Sequence, residues 1–374
     1  MSPNKIQFFS LAFIACSISL LSYAGCANPP KNTPFSSAVL PVAMPENPIP
    51  AVASAEYLGN EACASCHAGE FKAHKISGHN LTLQFLEDAS SAAVSPKLGR
   101  IPGTGYNLSK TAGKLIMNSM SRPDIKGELN FAMGSGNTGI TYLHIGPSSV
   151  SEAQMSYFPN VQKWYRTPGH REKPDTSLGQ TYKGAFAAKC VFCHSTHMEA
   201  DTFVPQKKFF GVGCESCHGA GSTHVAAMKA GNFKEGKMVK LEKASATEVM
   251  NVCQQCHINQ SAGLGTSRQV MAGIKQSQCY LKSSDTLSCI SCHDPHTNVN
   301  RDLKSYNSVC IKCHSTPAKP IFSSGKIVQG KICPVNQKKD CVNCHMPRTL
   351  AFSDSPTPSK FADHFIRIHP EMKK

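Results

Sequence analysis

Aromatic side chains are scarce in this chain of 374 residues: they make up 7% of it, and there is a single tryptophan, Trp164. A core of ordinary composition takes its largest buried surfaces from Phe, Tyr and Trp, so something other than side chains is expected to fill the interior. Beyond the N-terminus no apolar run is long enough to span a membrane. Acidic residues are also few, 24 against 39 Lys and Arg, which leaves a formal charge of +15. That imbalance alone would suggest nucleic acid or an anionic membrane as partner.

Cysteine is abundant instead, with 18 residues, and 14 of them fall into one pattern. C-x-x-C-H occurs seven times: Cys63/Cys66/His67, Cys190/Cys193/His194, Cys214/Cys217/His218, Cys253/Cys256/His257, Cys289/Cys292/His293, Cys310/Cys313/His314 and Cys341/Cys344/His345. Composition alone would produce about 0.04 matches in a chain of this make-up, so the repeat is not accidental. Two thiols three positions apart can add to the two vinyl groups on one porphyrin edge, and the adjacent imidazole becomes the proximal iron ligand. Zinc ribbons also use C-x-x-C pairs, but they need them in even number and have no use for a histidine after each second cysteine. A thioredoxin-type site would account for one pair, not seven. The motifs therefore predict seven covalently attached haem c groups.

These groups change both earlier inferences. Residues 57–374 provide about 45 residues per haem, and seven large apolar rings can supply the missing buried surface. The expected fold is mainly α, with short helices, long irregular loops, a haem stack for a core and a small β-containing insert. A ferric bis-histidine haem with ionised propionates carries about −1 and a ferrous one about −2, which brings the whole to roughly +8 or +1. Nucleic acid is thereby removed as a partner. Lys207/Lys208, Lys234 to Lys243 and Lys338/Lys339 are expected to be solvated faces or propionate partners.

Motif starts divide the chain. The first two lie 127 residues apart, and the later ones follow at intervals of 21 to 39. Residues 57–80 form a first haem-binding segment, and residues 190–374 a region of six crowded haems without room for separate domains. Residues 81–189 lie between them. Glu128 to Met133, Ile140 to Ile145 and Gln154 to Phe158 mix β-branched and aromatic residues between Gly, Pro and Ser, which predicts short strands. Ser245 with Glu248 has the form of a capping box ahead of Val249, Val252, Cys253 and Cys256, and Asn60 is placed to cap a helix carrying Cys63, Cys66, His67 and Phe71.

The N-terminus predicts export. Lys5 precedes an apolar run from Ile6 to Ala24, so residues 1–25 read as a signal peptide. Ser22-Tyr23-Ala24 suits cleavage before Gly25, whereas Ala24-Gly25-Cys26 suits a lipoprotein signal with Cys26 lipidated. Residues 26–56, rich in proline from Pro29 to Pro50, read as a tether. The protein is then periplasmic or a membrane-anchored lipoprotein.

Nine histidines remain for the second axial positions: His74, His79, His144, His170, His197, His224, His296, His364 and His369. His197 and His296 each follow a proximal histidine by three residues, so they share its side and can reach only a neighbouring haem. His197 is equally compatible with a surface role, and His170 in Thr167-Pro168-Gly169-His170 is open between ligand and structural residue. His74, His144 and His369 are read as surface or hydrogen-bonded residues. Met346 directly follows His345 and cannot swing to the far face of its own haem. Cys279 and Cys333 lie outside every motif, either as a disulfide or as two separate buried thiols.

Several strings resemble bacterial multihaem cytochromes related to hydroxylamine oxidoreductase and to its tetrahaem electron acceptor, a group that carries doubled C-x-x-C-H motifs. They are Cys63 to His67 with Ser77-Gly78-His79; Gly213-Cys214-Glu215-Ser216-Cys217-His218 with Gly221-Ser222-Thr223-His224; Cys292-His293-Asp294-Pro295-His296; and Cys344-His345-Met346-Pro347 with Asp363-His364. The spacer agrees too, in Gly134-Ser135-Gly136, Tyr142-Leu143, Ser156 to Pro159 and Trp164 to Gly169. The resemblance implies that His79, His224, His296 and His364 are distal ligands. It also brings relatives that are carriers and relatives that reduce or oxidise nitrogen compounds. The sequence has no C-x-x-C-K, which pentahaem nitrite reductases generally use, and no tyrosine after the last motif, where hydroxylamine oxidoreductases place a crosslinking one. The expected function is single-electron relay between a membrane-associated donor, such as a quinol-oxidising complex or another cytochrome, and a periplasmic or surface acceptor. The alternative is an oxidoreductase for a small nitrogen or sulfur compound at one five-coordinate haem.

Overall fold

The structure, a computed structural model, describes residues 35–38 (backbone only), 55–88, 93–170, 174, 177–257, 270–283, 285–319, 327–335, 339–350 and 357–369. The expected signal peptide and Cys26 lie outside the described residues, as does most of the tether. Among the described residues no helix is long and apolar enough to cross a membrane.

Strands dominate the region before the second motif. A seven-stranded sheet contains β1 (Phe35–Ala38), β2 (Leu83–Phe85), β7 (Phe131–Met133), β8 (Ile140–Ile145), β9 (Ser149–Phe158), β10 (Lys163–Arg166) and β11 (Gly179–Lys183). Its order is β1-β11-β9-β8-β7-β2, with β10 also paired to β9. All its pairings are antiparallel except β1 with β11, where Phe35 stands opposite Gly179. Part of the expected tether thus runs as an edge strand. A second sheet joins β3 (Gly99–Arg100), β4 (Tyr106–Thr111), β5 (Lys114–Ser119) and β6 (Lys126–Leu129). Its β4–β5 hairpin turns through Ala112 and Gly113, both at positive φ (49° and 81°), as a two-residue turn matching strand twist requires.

The expectation of a mainly α chain with a small β insert is therefore corrected. The short apolar runs between turn residues pair into two sheets rather than a minor insert, while the α-helices run only 5 to 11 residues. The reading of the haem stack as the sole core is corrected with it. Leu108, Leu115, Met117, Leu129, Ile140 and Tyr142 form one side-chain cluster, with Trp164 packed against it. Leu83, Phe131, Leu143, Ile145 and Val150 form a second, and it receives Ala187 and Val191 from helix α2 (Gly184–His194). Among the described residues, four of the five buried aromatics, Tyr106, Phe131, Tyr142 and Phe158, lie in these sheets.

Past Val191 the side-chain core thins. Among the described residues, the buried hydrophobic side chains beyond it are Phe209, Ala246, Val249, Met250, Met271 and Val342. A region of that length cannot be held by six such residues, because ordering the backbone costs about 1–2 kcal/mol per residue. This is the part of the chain that contains five of the seven motifs and the end of a sixth, and there the shortage of buried surface noted from composition is real.

Candidate haem-binding sites

Each motif is set by local backbone geometry. In the first, fourth, fifth and sixth motifs the histidine N–H donates to the carbonyl of the first cysteine at 2.9 to 3.1 Å, closing one helical turn. Residues i, i+3 and i+4 of such a turn share a face, so both thiols and the imidazole point to one side. The turns end α2 and α8 (Asn307–Cys313), make up α3 (Cys214–His218) and α9 (Cys341–His345), and run on from the last residues of α5 (Ala246–Gln254). The expected capping box is present at α5: Ser245 Oγ accepts from Glu248 N–H at 3.2 Å, and Glu248 Oε2 accepts from Ser245 N–H at 2.7 Å. Asn60 differs from expectation. Helix α1 spans Ala68–Lys75, and Asn60 instead accepts from the Cys214 N–H at 2.8 Å, serving the start of the third motif's helix.

Four proximal imidazoles each face a second imidazole from elsewhere in the chain. Ring centres are 6.4 Å apart for His67 and His224, 6.4 Å for His257 and His79, 6.4 Å for His218 and His296, and 6.2 Å for His293 and His364. Two imidazoles on opposite sides of one metal, each with a bond of about 2.0 Å and its ring centre about 1.1 Å beyond the nitrogen, have centres about 6.2 Å apart. The spacing is too wide for ring stacking and right for an intervening iron. Beside the His67–His224 pair lies a cavity of about 580 Å³ lined by Leu58, Ala62, Ser65, Ser222, Val225 and Lys229, among others. A mostly apolar cleft of that size fits a porphyrin.

The outer nitrogens are anchored. His79 Nδ1 meets the Pro295 carbonyl at 3.2 Å, His224 Nδ1 that of Gly236 at 2.8 Å, His364 Nδ1 that of Ala362 at 2.9 Å, and His296 Nδ1 the Asp294 carboxylate at 3.1 Å. Among proximal residues, His218 Nδ1 meets the Val239 carbonyl at 2.8 Å, His314 Nδ1 that of Lys331 at 2.6 Å, His345 Nδ1 that of Arg367 at 3.0 Å, and His194 Nδ1 the Thr82 hydroxyl at 2.7 Å. Anchoring at Nδ1 fixes the tautomer and leaves Nε2 for a metal.

Other candidates are placed differently. Both ring nitrogens of His170 are engaged, Nε2 with Glu152 at 2.8 Å and Nδ1 with Gln154 at 3.2 Å, and this polar cluster lies on the large sheet. His197 stacks on Tyr57 with centres 4.4 Å apart and meets Phe209 edge-on. His74 is buried beside His79 and His296, and desolvation together with those two histidines holds its pKa down at about 4. Cys279 and Cys333 are not joined to each other: Cys279 lies beside Cys292 and Cys313, and Cys333 beside Cys341. Lys207 pairs with Asp88 at 2.7 Å, so one of the candidate propionate partners already has an acid.

Motifs distant in sequence are neighbours in space. Cys63 and Cys214 lie within hydrogen-bond reach, as do Cys253 and Cys289, Cys193 and Cys256, and Cys310 and Cys341. Cys217 lies close to both Cys253 and Cys256, and Cys292 close to Cys310 and Cys313. Every motif therefore touches at least one other. The chain is a multihaem c-type cytochrome. Two family models match this cytochrome: cytochrome c554 and c-prime over residues 155–219, and the doubled CXXCH motif over residues 283–319. It is 21% identical to the dissimilatory sulfite reductase MccA of Wolinella succinogenes over 82% of its own length and 49% of that protein's. The chain thus spans about half the length of this curated relative. Among solved structures, the outer cell wall cytochrome OcwA is 14% identical with a TM-score of 0.46, covering 83% of this cytochrome and 79% of that chain. An undecahaem cytochrome from the S-layer of Carboxydothermus ferrireducens is also 14% identical, with a TM-score of 0.42 over 88% and 53% of the two chains.

Sequence reasoning gave no role to Glu215, one of the two residues between the third motif's cysteines. Only 1% exposed, its carboxylate accepts from the N–H groups of Leu58 at 3.0 Å, Gly59 at 2.7 Å and Gly221 at 2.8 Å. It knots the approach to the first motif onto the third. An acidic residue inside a haem-binding turn was the available signal.

Proposed function

We propose that this cytochrome holds seven haem c groups, one per motif, and relays single electrons along them. Bound haem c supplies the one-electron ferric and ferrous couple; the protein's part is to fix ligands, spacing and surroundings. His79, His224, His296 and His364 are the distal ligands of the fourth, first, third and fifth sites, each opposite the proximal imidazole it faces. The observation that carries this reading is the set of four imidazole pairs at 6.2 to 6.4 Å. His170 is left out of the proposed set because hydrogen bonds already engage both its nitrogens, whereas His197, stacked on Tyr57, stays a candidate ligand of a neighbouring site.

The proximity of the thiols supports an order of the sites. The first lies against the third, the third lies near the fourth, and from the fourth the path continues to the fifth, sixth and seventh. The second site branches from the fourth through Cys193 and Cys256. The protein's surface residues then meet a donor at one end and an acceptor at another, a membrane-associated complex and a periplasmic or surface partner. Export of the chain and lipidation at Cys26 belong to the same proposal.

A second reading, reduction or oxidation of a small nitrogen or sulfur compound, draws support from the sulfite reductase relative. Under it, one of the haems held by His194, His314 or His345 would supply the redox chemistry for such a compound. Haem quantitation by pyridine haemochrome, with electron paramagnetic resonance of the oxidised protein, tests both. Seven haems with only low-spin signals fit the relay; a high-spin ferric signal altered by sulfite, nitrite or hydroxylamine would overturn it in favour of catalysis.

A further inference from the structure

Two turns more than 200 residues apart in sequence lie side by side, and the side chain of Asn298 joins them. Its Oδ1 accepts from the Gly78 N–H at 2.8 Å, and its Nδ2 donates to the Ile76 carbonyl at 3.0 Å. The return contact comes from His79, whose Nδ1 donates to the Pro295 carbonyl at 3.2 Å. Each turn therefore holds the other, and the contacts bracket both distal imidazoles. His79 directly follows Gly78; His296 directly follows Pro295 and lies two residues before Asn298.

The sheet region joins the same knot. Asn137 Nδ2 donates to Asn298 Oδ1 at 3.2 Å, and Arg301 Nη2 donates to the Asn137 carbonyl at 2.9 Å. An amide is required at position 298, because the side chain must accept from one backbone group and donate to another at once; a carboxylate can only accept, and an alkyl group can do neither.

We propose that Asn298 is a positioning residue that sets two axial imidazoles together, His79 opposite His257 and His296 opposite His218, and ties both to the sheets through Asn137. This rests on the reading of His79 and His296 as distal ligands. The two sites are neighbours, since Cys217 lies beside Cys253 and Cys256, so one side chain governs a consecutive pair in the array. The sensitive quantity is ring orientation. The imidazole planes are 3° apart in one pair and 64° in the other. Aligned rings donate π density along one direction and split the two π-type iron d orbitals, whereas crossed rings leave them nearly equal.

The test uses the full-length protein matured with its haems, in four variants. His79→Ala and His296→Ala should each convert one low-spin ferric resonance to high spin, and so identify the two signals. Asn298→Ala should keep the haem count and shift both of those signals while the others stay in place. Asn298→Asp, which retains the acceptor for Gly78, should shift both by less. If the histidine variants leave every signal low-spin, the ligand reading fails irrespective of Asn298. If they behave as expected but Asn298→Ala moves neither signal, or only one, the positioning role is overturned. Should Asn298→Ala lose haem, Asn298→Asp decides by the same criterion.

Discussion

His218 and His296 face each other with ring centres 6.4 Å apart and planes only 3° from parallel, although 78 residues separate them. The equally spaced pair of His79 and His257 is crossed at 64°. Under the proposed ligation, the same pair of ligands would be presented to iron in two relative orientations within one molecule.

The oxidised protein should consequently show at least two classes of low-spin ferric resonance. The parallel pair should give a well-resolved rhombic signal, and the crossed pair a more anisotropic one with a larger highest g value. Continuous-wave electron paramagnetic resonance at liquid-helium temperature distinguishes them; one uniform class would contradict the ring geometry.

Glu215 is the second point of leverage. Substituting alanine strips acceptors from the buried N–H groups of Gly59 and Gly221, at a cost of about 2–4 kcal/mol. Thermal unfolding of Glu215→Ala should begin at lower temperature than in the parent, with limited proteolysis cutting first around the first and third motifs, whose haems stay covalently attached to the fragments. Peptide mapping of the released haem peptides reads that order.

The capping box of α5 makes stability depend on pH. The Glu248 carboxyl is held below its ordinary pKa, chiefly by its hydrogen bond from Ser245. A carboxylate whose folded pKa is depressed stabilises the fold above its unfolded pKa and loses that contribution as the pH falls through the folded one. The parent should therefore exceed Glu248→Gln in melting temperature at neutral pH, and the difference should shrink on acidification below about pH 4.3. Ser245→Ala, which removes the reciprocal acceptor, should cost about 1 kcal/mol. Thermal melts across pH check both.

Thiols brought together across motifs are a hazard when haem is missing. Cys63 with Cys214, and Cys310 with Cys341, lie close enough to oxidise. Protein produced without haem attachment and exposed to air should contain these crosslinks, detectable by mass spectrometry of non-reduced digests, whereas the mature protein should contain neither.

Much of the site was legible because its chemistry is local. A haem-binding turn needs two thiols and an imidazole within five residues, and that pattern survives in any fold. The strand segments were legible for a similar reason: Ile140 to Ile145 and Gln154 to Phe158 carry their signal in their own composition. How far the strands would pair was not, since the β9 and β11 register depends on partners 30 residues apart. Glu215 and Asn298 were missed because each acts through backbone groups more than 150 residues away, and no spacing rule encodes such contacts. His170 shows the converse, a histidine whose neighbours on the sheet engage both nitrogens, which composition could not reveal.

The uneven placement of buried side chains bears on how the molecule is assembled. The sheets contain an oily interior of their own, finished by Phe203, Val204 and Phe210 a short way past Val191, whereas the stretch after that must wait for prosthetic groups to give it a centre. Synthesis from the N-terminus would then deliver a finished platform first, with the later cysteines still open to the attachment machinery.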